Sequence, residues 1–222
     1  MQDFRKEFLD FAIQTGVLRF GQFTLKSGRN SPYFFNTGLF NSGQGLAQLG
    51  RYYARAIIQS GIKFDMIFGP AYKGIPLAAA TTIALADYHG LDIPYAFDRK
   101  EAKDHGEGGN IVGAPLQGKV LIIDDVITAG ISATYSIDLI RENNAEAAGF
   151  VIALDRQEVV PGSSASALQM LQREQNLPVF SIATLDDLIE LLQQDPDKSD
   201  ILSLIIAYRN EYGCYILSTL HI

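Results

Sequence analysis

The sequence has little cysteine and no long apolar run. Its only cysteine is Cys214, which excludes a disulfide framework and a metal site built on cysteine thiolates. No window approaches the roughly 18 consecutive apolar residues that a membrane-spanning helix needs. The N-terminal MQDFRKEFLDFA is charged and has a helical pattern, so we do not expect a signal peptide. These absences lead us to expect a cytoplasmic protein.

Basic residues are also few. The 222 residues include 18 Lys and Arg against 25 Asp and Glu, which gives a formal net charge of −7. Such a balance argues against an extended surface for nucleic acid or for an anionic membrane. It leaves room for a small anionic ligand, because a few local cations can dominate one cleft. We therefore predict no nucleic-acid partner and no membrane association.

Apolar strands alternate with helices along most of the chain. Apolar runs predict strands at 64–68, 93–97, 119–123, 147–155 and 178–183, and helical spacing predicts helices at 75–89, 131–143, about 165–175 and in two later segments. Strands that are apolar throughout are typical of a sheet covered on both faces. The pattern predicts an α/β fold with a mostly parallel central sheet flanked by helices. With no linker or repeat, we expect one domain spanning 1–222.

The first 40 residues have a different pattern. Phe4, Phe8, Phe11 and Ala12 follow helical spacing, and TLKSGRNSPYFFN predicts a strand, a turn and a second strand. This segment precedes the regular alternation. We expect residues 1–40 to form a small N-terminal cap on the main domain.

Two adjacent acids end a buried strand in VLIIDDVITAG, residues 120–130. Ligands of open α/β sheets bind beyond the carboxyl ends of the strands, where GPAYKG and DRKEAKDHGEGGN also lie. After Asp125 the chain turns and enters a helix, whose N–H groups and partial positive charge can bind a phosphate. Two acids beside a phosphate site predict a ligand such as ribose 5-phosphate. The alternative is a solvated strand end followed by an ordinary helix cap.

VLIIDDVITAGIS resembles the phosphoribosyl-pyrophosphate (PRPP) signature of the type I phosphoribosyltransferases. Within that family, TLKSGRNSPYFFN, GPAYKGIPLA, RKEAKDHGEGGNIVG and ALDRQE resemble the orotate phosphoribosyltransferases, in the expected order and over about residues 1–210. The resemblance implies transfer of ribose 5-phosphate from PRPP to orotate, which gives orotidine 5′-monophosphate and pyrophosphate in pyrimidine synthesis. Two alternatives remain: a family member that uses another base, and a regulator with this fold that binds nucleotide or RNA without catalysis.

The resemblance also implies roles for individual residues. Asp124, Asp125 and Lys103 would be catalytic, and Phe34, Phe35, Thr128 and Arg156 would bind orotate below a hood formed by residues 1–40. PRPP would contact Lys26, Tyr72, Lys73, Arg99, Lys100, Lys103, His105, Asp124, Asp125, Val126, Ile127, Thr128, Ala129, Gly130, Ile131 and Ser132. The family commonly has a threonine where this chain has Ile131, so either Ser132 compensates for that hydroxyl or the contact is lost.

Mg²⁺ is the cofactor that the resemblance implies, held mainly by substrate and water rather than by direct protein bonds. The segment DRKEAKDHGEGGN would be a mobile lid that closes over the neighbouring subunit's site, which implies a homodimer. Simpler interpretations exist for several of these residues. The Phe pair would belong to the core, Lys73 and the lid would be solvated, Asp125 would be an ordinary acid at a helix N-terminus, and Arg156 would pair with Asp155 or Glu158.

Overall fold

A helix and a hairpin open the chain, as the sequence predicts. The computed structural model describes residues 3–103, 109–127 and 130–214, and for 101–103 and 109 it describes the backbone alone. Helix α1 is Asp3–Gln14, and the antiparallel strands β1 (Leu18–Thr24) and β2 (Asn30–Phe35) form a separate two-stranded sheet. The first strand begins six residues earlier than TLKSGRNSPYFFN suggests, because apolar Leu18 is buried against the core.

The second helix is bounded by its caps. A 3-10 turn at Thr37–Leu39 leads to α2 (Gly43–Ser60), where the Ser42 side chain accepts the first-turn N–H of Gly45. Gly61 ends the helix with a positive φ of 66°, a conformation in which glycine carries no steric penalty.

A six-stranded sheet forms the centre of the molecule. Its strands are β3 (Met66–Gly69), β4 (Tyr95–Lys103), β5 (Gly109–Gly113), β6 (Lys119–Ile123), β7 (Glu146–Asp155) and β8 (Val179–Thr184). Their spatial order is β5-β4-β3-β6-β7-β8, and every pair except β4–β5 is parallel. The predicted α/β fold with a mostly parallel sheet is therefore confirmed.

Helices cover both faces of this sheet. They are α3 (Gly74–His89), α4 (Ile131–Glu142), α5 (Ala167–Gln175), α6 (Leu185–Gln193) and α7 (Ser199–Tyr212). Alternate strand residues enter two apolar clusters: Leu121 and Ile123 pack with α1, α2, α3, α6 and α7, whereas Val120 and Ile122 pack with α4 and α5. Burial on both faces explains why the strands are apolar at every position. Among the described helices, none is long and apolar enough to cross a membrane.

The segment DRKEAKDHGEGGN differs from its prediction as a loop. Strand β4 continues to Lys103, and β5 returns antiparallel to it, with Asp98 opposite Ile111 and Lys103 opposite Gly109. Backbone pairing in an edge hairpin does not require apolar side chains, so a search for apolar runs misses it. Strand β3 pairs with β4 only as far as Phe97, and the hairpin therefore extends past the carboxyl edge of the sheet.

Candidate active site

One cleft of about 660 Å³ lies where several strands end. Its walls come from the loop after β3, from β4, from the turn after β6 and from the start of α4. The lining residues include Pro70, Ala71, Asp98, Lys100, Asp124, Val126, Ile127, Gly130, Ile131, Ser132 and Tyr135. Parallel strands bring distant loops to a single edge, as the sequence argument expects for a ligand site.

Asp125 is held by three segments of the chain. Its Oδ2 accepts hydrogen bonds from Thr37 Oγ1 at 2.8 Å and from Lys73 Nζ at 2.5 Å, and its Oδ1 accepts the Val126 N–H at 2.9 Å. The residue is 7% exposed. Because both oxygens have partners, this carboxylate is held in one orientation, and it is more than the ordinary helix N-terminal acid of the simpler interpretation.

Asp124 lines the cleft and has a different environment. Its Oδ1 accepts the Asp125 N–H at 2.8 Å, and the Tyr53 hydroxyl donates to its backbone oxygen at 2.9 Å. Burial, followed by the negative charge of Asp125, raises the pKa of Asp124 from 3.8 to about 7. The backbone hydrogen bond and Lys73 oppose this increase only in part. A positive charge in the cleft would therefore be strongly favourable beside Asp124.

The turn after the acids leads to an open helix N-terminus. Gly130 caps α4 with φ of 73° and without a side-chain hydrogen bond. A Cβ there would meet no atom within 4 Å, so the requirement for glycine is conformational rather than steric. Ile131 and Ser132 are exposed at the start of the helix, whose first N–H groups point outward for an anion. Thr128 and Ala129 lie outside the described residues.

The loop after β3 contacts both the acids and β4. Lys73, at the N-terminus of α3, pairs with Asp125, so it is not merely a solvated lysine. Asp98 is 4% exposed, and its Oδ1 accepts the Ala71 N–H at 2.6 Å. The Lys100 ammonium lies 4.8 Å from the ring centroid of the exposed Tyr72. These contacts connect the base of the hairpin to the loop that carries Tyr72 and Lys73.

Glycine serves close packing in this loop rather than unusual backbone angles. Neither Gly69 nor Gly74 has a positive φ. A Cβ on Gly69 would overlap the carbonyl group of Gly74, and one on Gly74 would overlap the backbone of Gly69. The close approach is what requires the two glycines.

The lid residues are only partly placed. Arg99 and Lys100 lie on β4, and the backbone of Lys103 ends that strand. His105 lies outside the described residues. The structure therefore locates the base of the predicted lid at the cleft, and the side chain of Lys103, like His105, lies outside its described part.

The two phenylalanines lie on opposite faces of β2, since successive strand residues alternate. Phe34 stacks on Phe23 with ring centroids 5.4 Å apart, whereas Phe35 packs edge-on against Phe8 at 6.3 Å. Phe35 thus belongs to the core side, and the pair does not line one surface together. Lys26 is exposed in the turn between β1 and β2.

Arg156 follows β7 at the same sheet edge. Its Nε donates to Glu158 Oε1 at 2.7 Å, and its Nη2 donates to Ser31 Oγ at 3.1 Å. Its guanidinium lies 4.2 Å from the Tyr33 ring centroid. The salt bridge with Glu158, one of the simpler interpretations, is therefore present. About a fifth of the side chain, 19%, stays exposed and accessible to a ligand.

Several residues of this edge escape a reading of the sequence. Asp98 had a signal, because it directly follows the apolar run 93–97, and it lies just past the point where β4 stops pairing with β3. Thr37 and Ser31 had none, since their partners Asp125 and Arg156 are 88 and 125 residues away. Only the folded structure brings these pairs together.

The fold and the acidic strand end beside an uncapped helix define a phosphoribosyltransferase, and the model of the phosphoribosyl transferase domain matches residues 38–186. The chain is 59% identical over 214 residues to the orotate phosphoribosyltransferase of Stutzerimonas stutzeri and 55% identical over 213 residues to that of Shigella flexneri. Each alignment covers 96% of this chain and 100% of the relative. The crystal structure of the Francisella tularensis orotate phosphoribosyltransferase has a TM-score of 0.86 and 46% identity, covering 93% of this chain and 99% of that one. This chain belongs to the orotate phosphoribosyltransferase family.

Proposed function

We propose that this chain transfers ribose 5-phosphate from PRPP to orotate, giving orotidine 5′-monophosphate and pyrophosphate. The observation that carries the proposal is the pair Asp124 and Asp125 at the end of β6, directly before the open N-terminus of α4. Carboxylates and N–H groups that can bind a phosphate lie in one cleft, and together they suit a ligand that has ribose hydroxyls and a 5-phosphate. Relatives named orotate phosphoribosyltransferase, 55% and 59% identical, support orotate as the acceptor.

The chain's own groups then act by positioning and electrostatics. Positive charge builds at the anomeric carbon as pyrophosphate leaves, and the partly buried carboxyl of Asp124 stabilises that charge in a site of low dielectric. The backbone N–H groups at the start of α4 hold the 5-phosphate. Asp125 keeps Lys73 at the edge of the cleft, where its ammonium can meet the pyrophosphate. Holding both reactants in line supplies a further part of the rate.

The carboxylates of this cleft suit a Mg²⁺ ion that binds together with the substrate. Among residues 3–103, 109–127 and 130–214, no cluster of His, Cys, Asp or Glu side chains could hold a metal ion alone. Both oxygens of Asp125 already accept hydrogen bonds, which leaves Asp124 as the acid facing the cleft. Such a site suits an ion that keeps waters and substrate oxygens as ligands. Bound with PRPP, Mg²⁺ would neutralise charge on the departing pyrophosphate.

The active form that we propose is a homodimer whose β4–β5 hairpin closes over the partner's cleft. The hairpin extends beyond the last residue of β3 that pairs with β4, so it can reach past its own sheet. Tyr72, Ile83 and Tyr88 are 66%, 62% and 57% exposed on the neighbouring loop and on α3, an apolar surface that a second copy would cover. Closure would exclude water from the donor.

We also propose a cytoplasmic location, and the single, unpaired Cys214 agrees with it.

Substrate choice is the first test. Purified protein with PRPP and Mg²⁺ should consume orotate, whereas uracil, adenine and hypoxanthine should react far more slowly. Binding of pyrimidine-rich RNA should be weak. No turnover of orotate under these conditions would refute the assignment, and turnover of another base would select the alternative enzyme.

The orotate contact and the shared site can be tested separately. Arg156→Ala should reduce kcat/KM for orotate by about 10²-fold, because a ligand carboxylate would lose a charged donor; unchanged kinetics would remove Arg156 from the site. For the dimer, inactive Lys103→Ala and Asp125→Asn subunits are mixed and allowed to exchange. Recovered activity supports a lid that serves the partner's site, and continued inactivity in exchanged dimers counts against it.

A further inference from the structure

Glu158 lies between two arginines at the carboxyl end of β7. Its Oε1 is 2.6 Å from Arg156 Nη2, and its Oε2 accepts a hydrogen bond from Arg29 Nη1 at 3.5 Å. The side chains of Arg156, Glu158 and Arg29 are only 19%, 14% and 13% exposed. One carboxylate shared by two guanidinium groups does not neutralise both, so the cluster keeps positive charge for an anionic ligand.

The backbone around Arg156 forms a turn that is held by side-chain hydrogen bonds. Asp155 Oδ1 accepts the Gln157 N–H at 2.9 Å, and Gln157 has a positive φ of 52°, which is uncommon for this residue type. The buried Gln157 amide exchanges two hydrogen bonds with Asp186, at 3.0 and 2.9 Å. The turn places Arg156 and Glu158 on the same side, where their side chains can meet.

The second side of the guanidinium is also supported. Ser31 Oγ accepts from Arg156 Nη2 and donates to the Tyr33 carbonyl oxygen at 2.7 Å, while the Tyr33 ring lies against the guanidinium plane. Tyr208 of α7 closes the cluster from a further direction. Glu158 occupies the Nε–Nη2 edge, so a ligand carboxylate meets the remaining exposed part of Arg156.

We propose that Glu158 is a positioning residue that determines preference for an anionic base, because it holds Arg156 in one orientation before the base arrives. The proposal rests on the proposed function, in which Arg156 contacts the orotate carboxylate. Arginine has several rotatable bonds, and fixing them in advance lowers the entropy lost on binding. Glu158 acts only through Arg156, and this dependence makes the idea testable.

The experiment compares Glu158→Gln with and without Arg156→Ala in steady-state kinetics. In the wild-type background, Glu158→Gln should raise KM for orotate about tenfold and leave KM for PRPP within about twofold, as loss of a charged partner predicts. In the Arg156→Ala background it should change kcat/KM for orotate by less than about twofold. Glu158→Asp should recover part of the lost preference. Glu174→Gln, an exposed acid on α5, is the matched control and should leave all constants unchanged.

The outcomes separate this idea from the assignment itself. If the wild-type protein does not use orotate, the proposed function fails regardless of Glu158. If it does, an equal effect of Glu158→Gln in both backgrounds, or equal effects on both substrates, overturns the positioning role. Should Glu158→Gln not fold, Glu158→Asp takes its place in both backgrounds. A severalfold rise in KM for orotate that requires Arg156 supports the proposal, and a rise independent of Arg156 overturns it.

Discussion

Replacing Asp124 with asparagine should stabilise the protein and at the same time abolish its activity. The pKa of Asp124 is raised from 3.8 to about 7, chiefly by burial and then by Asp125. An increase of this size corresponds to about 4 kcal/mol of unfavourable free energy in the ionised folded state. The asparagine oxygen can still accept the Asp125 N–H, although burying the new NH₂ group cancels part of the gain. We expect Asp124→Asn to raise the free energy of unfolding by about 2–3 kcal/mol above pH 7.

The gain should depend on pH in a defined direction. The raised folded-state pKa means that ionised Asp124 destabilises the folded wild-type protein. Its free energy of unfolding therefore falls as pH rises from about 4 to about 7, and this loss is constant at higher pH. The advantage of Asp124→Asn should therefore be smaller at pH 5 than at pH 8.5 by about 2 kcal/mol. Urea unfolding at matched protein concentration measures it, and PRPP-dependent orotate consumption measures the accompanying loss of activity.

Asp92→Asn is the matched control, since Asp92 is an exposed acid outside the cleft. Its free energy of unfolding should change by less than about 0.5 kcal/mol at either pH. The reasoning is refuted if Asp124→Asn is no more stable than the wild type at pH 8.5. It is also refuted if the gain is the same at both pH values, because the charge of Asp124 would then not be its cause.

Three further changes test other parts of the site. Thr37→Val should cost about 1–2 kcal/mol of stability, because it removes a donor from buried Asp125; urea unfolding measures this against Thr24→Val, which changes an exposed residue at the end of β1. Gly69→Ala should lower stability by about 3 kcal/mol or prevent folding, because the methyl group overlaps the Gly74 carbonyl; Gly43→Ala, with open space, is the control. Mg²⁺ alone should leave Tm unchanged, whereas Mg²⁺ with PRPP should raise it, because substrate supplies most of the ligands.

Each of these has a contradicting result. Equal stability of Thr37→Val and wild type would show that Lys73 and Val126 suffice for Asp125. A stable Gly69→Ala protein would mean that the loop can move away from α3. A rise of several degrees in Tm with Mg²⁺ alone would indicate a protein-held ion.

The sequence predicted the elements whose signals are local. Strand β6 begins and ends where the apolar run 119–123 does, because a buried strand leaves a direct mark in the sequence. The β4–β5 hairpin was missed beyond Phe97, because its polar residues pair through the backbone and form no apolar run. Periodicity detects apolar side chains, and the sequence of this segment has few of them.

The candidate site was predictable to a similar extent. The acids after β6 and the loop after β3 were found because strand ends identify them. Their interactions were not: the Thr37 bond to Asp125 and the Arg29 bond to Glu158 join residues 88 and 129 positions apart. The packing of Gly69 against Gly74 also escapes the sequence, since a close approach of two backbones cannot be read from either residue alone.

The three hydrogen bonds of Asp125 also have a consequence for the order of folding. Thr37 and Lys73 reach this carboxylate across 88 and 52 residues, so it gains its partners only when the N-terminal third of the chain has docked on the sheet. Closing loops of that length is slow compared with forming helices and hairpins. In a refolding chain, helical signal should therefore return before catalytic competence.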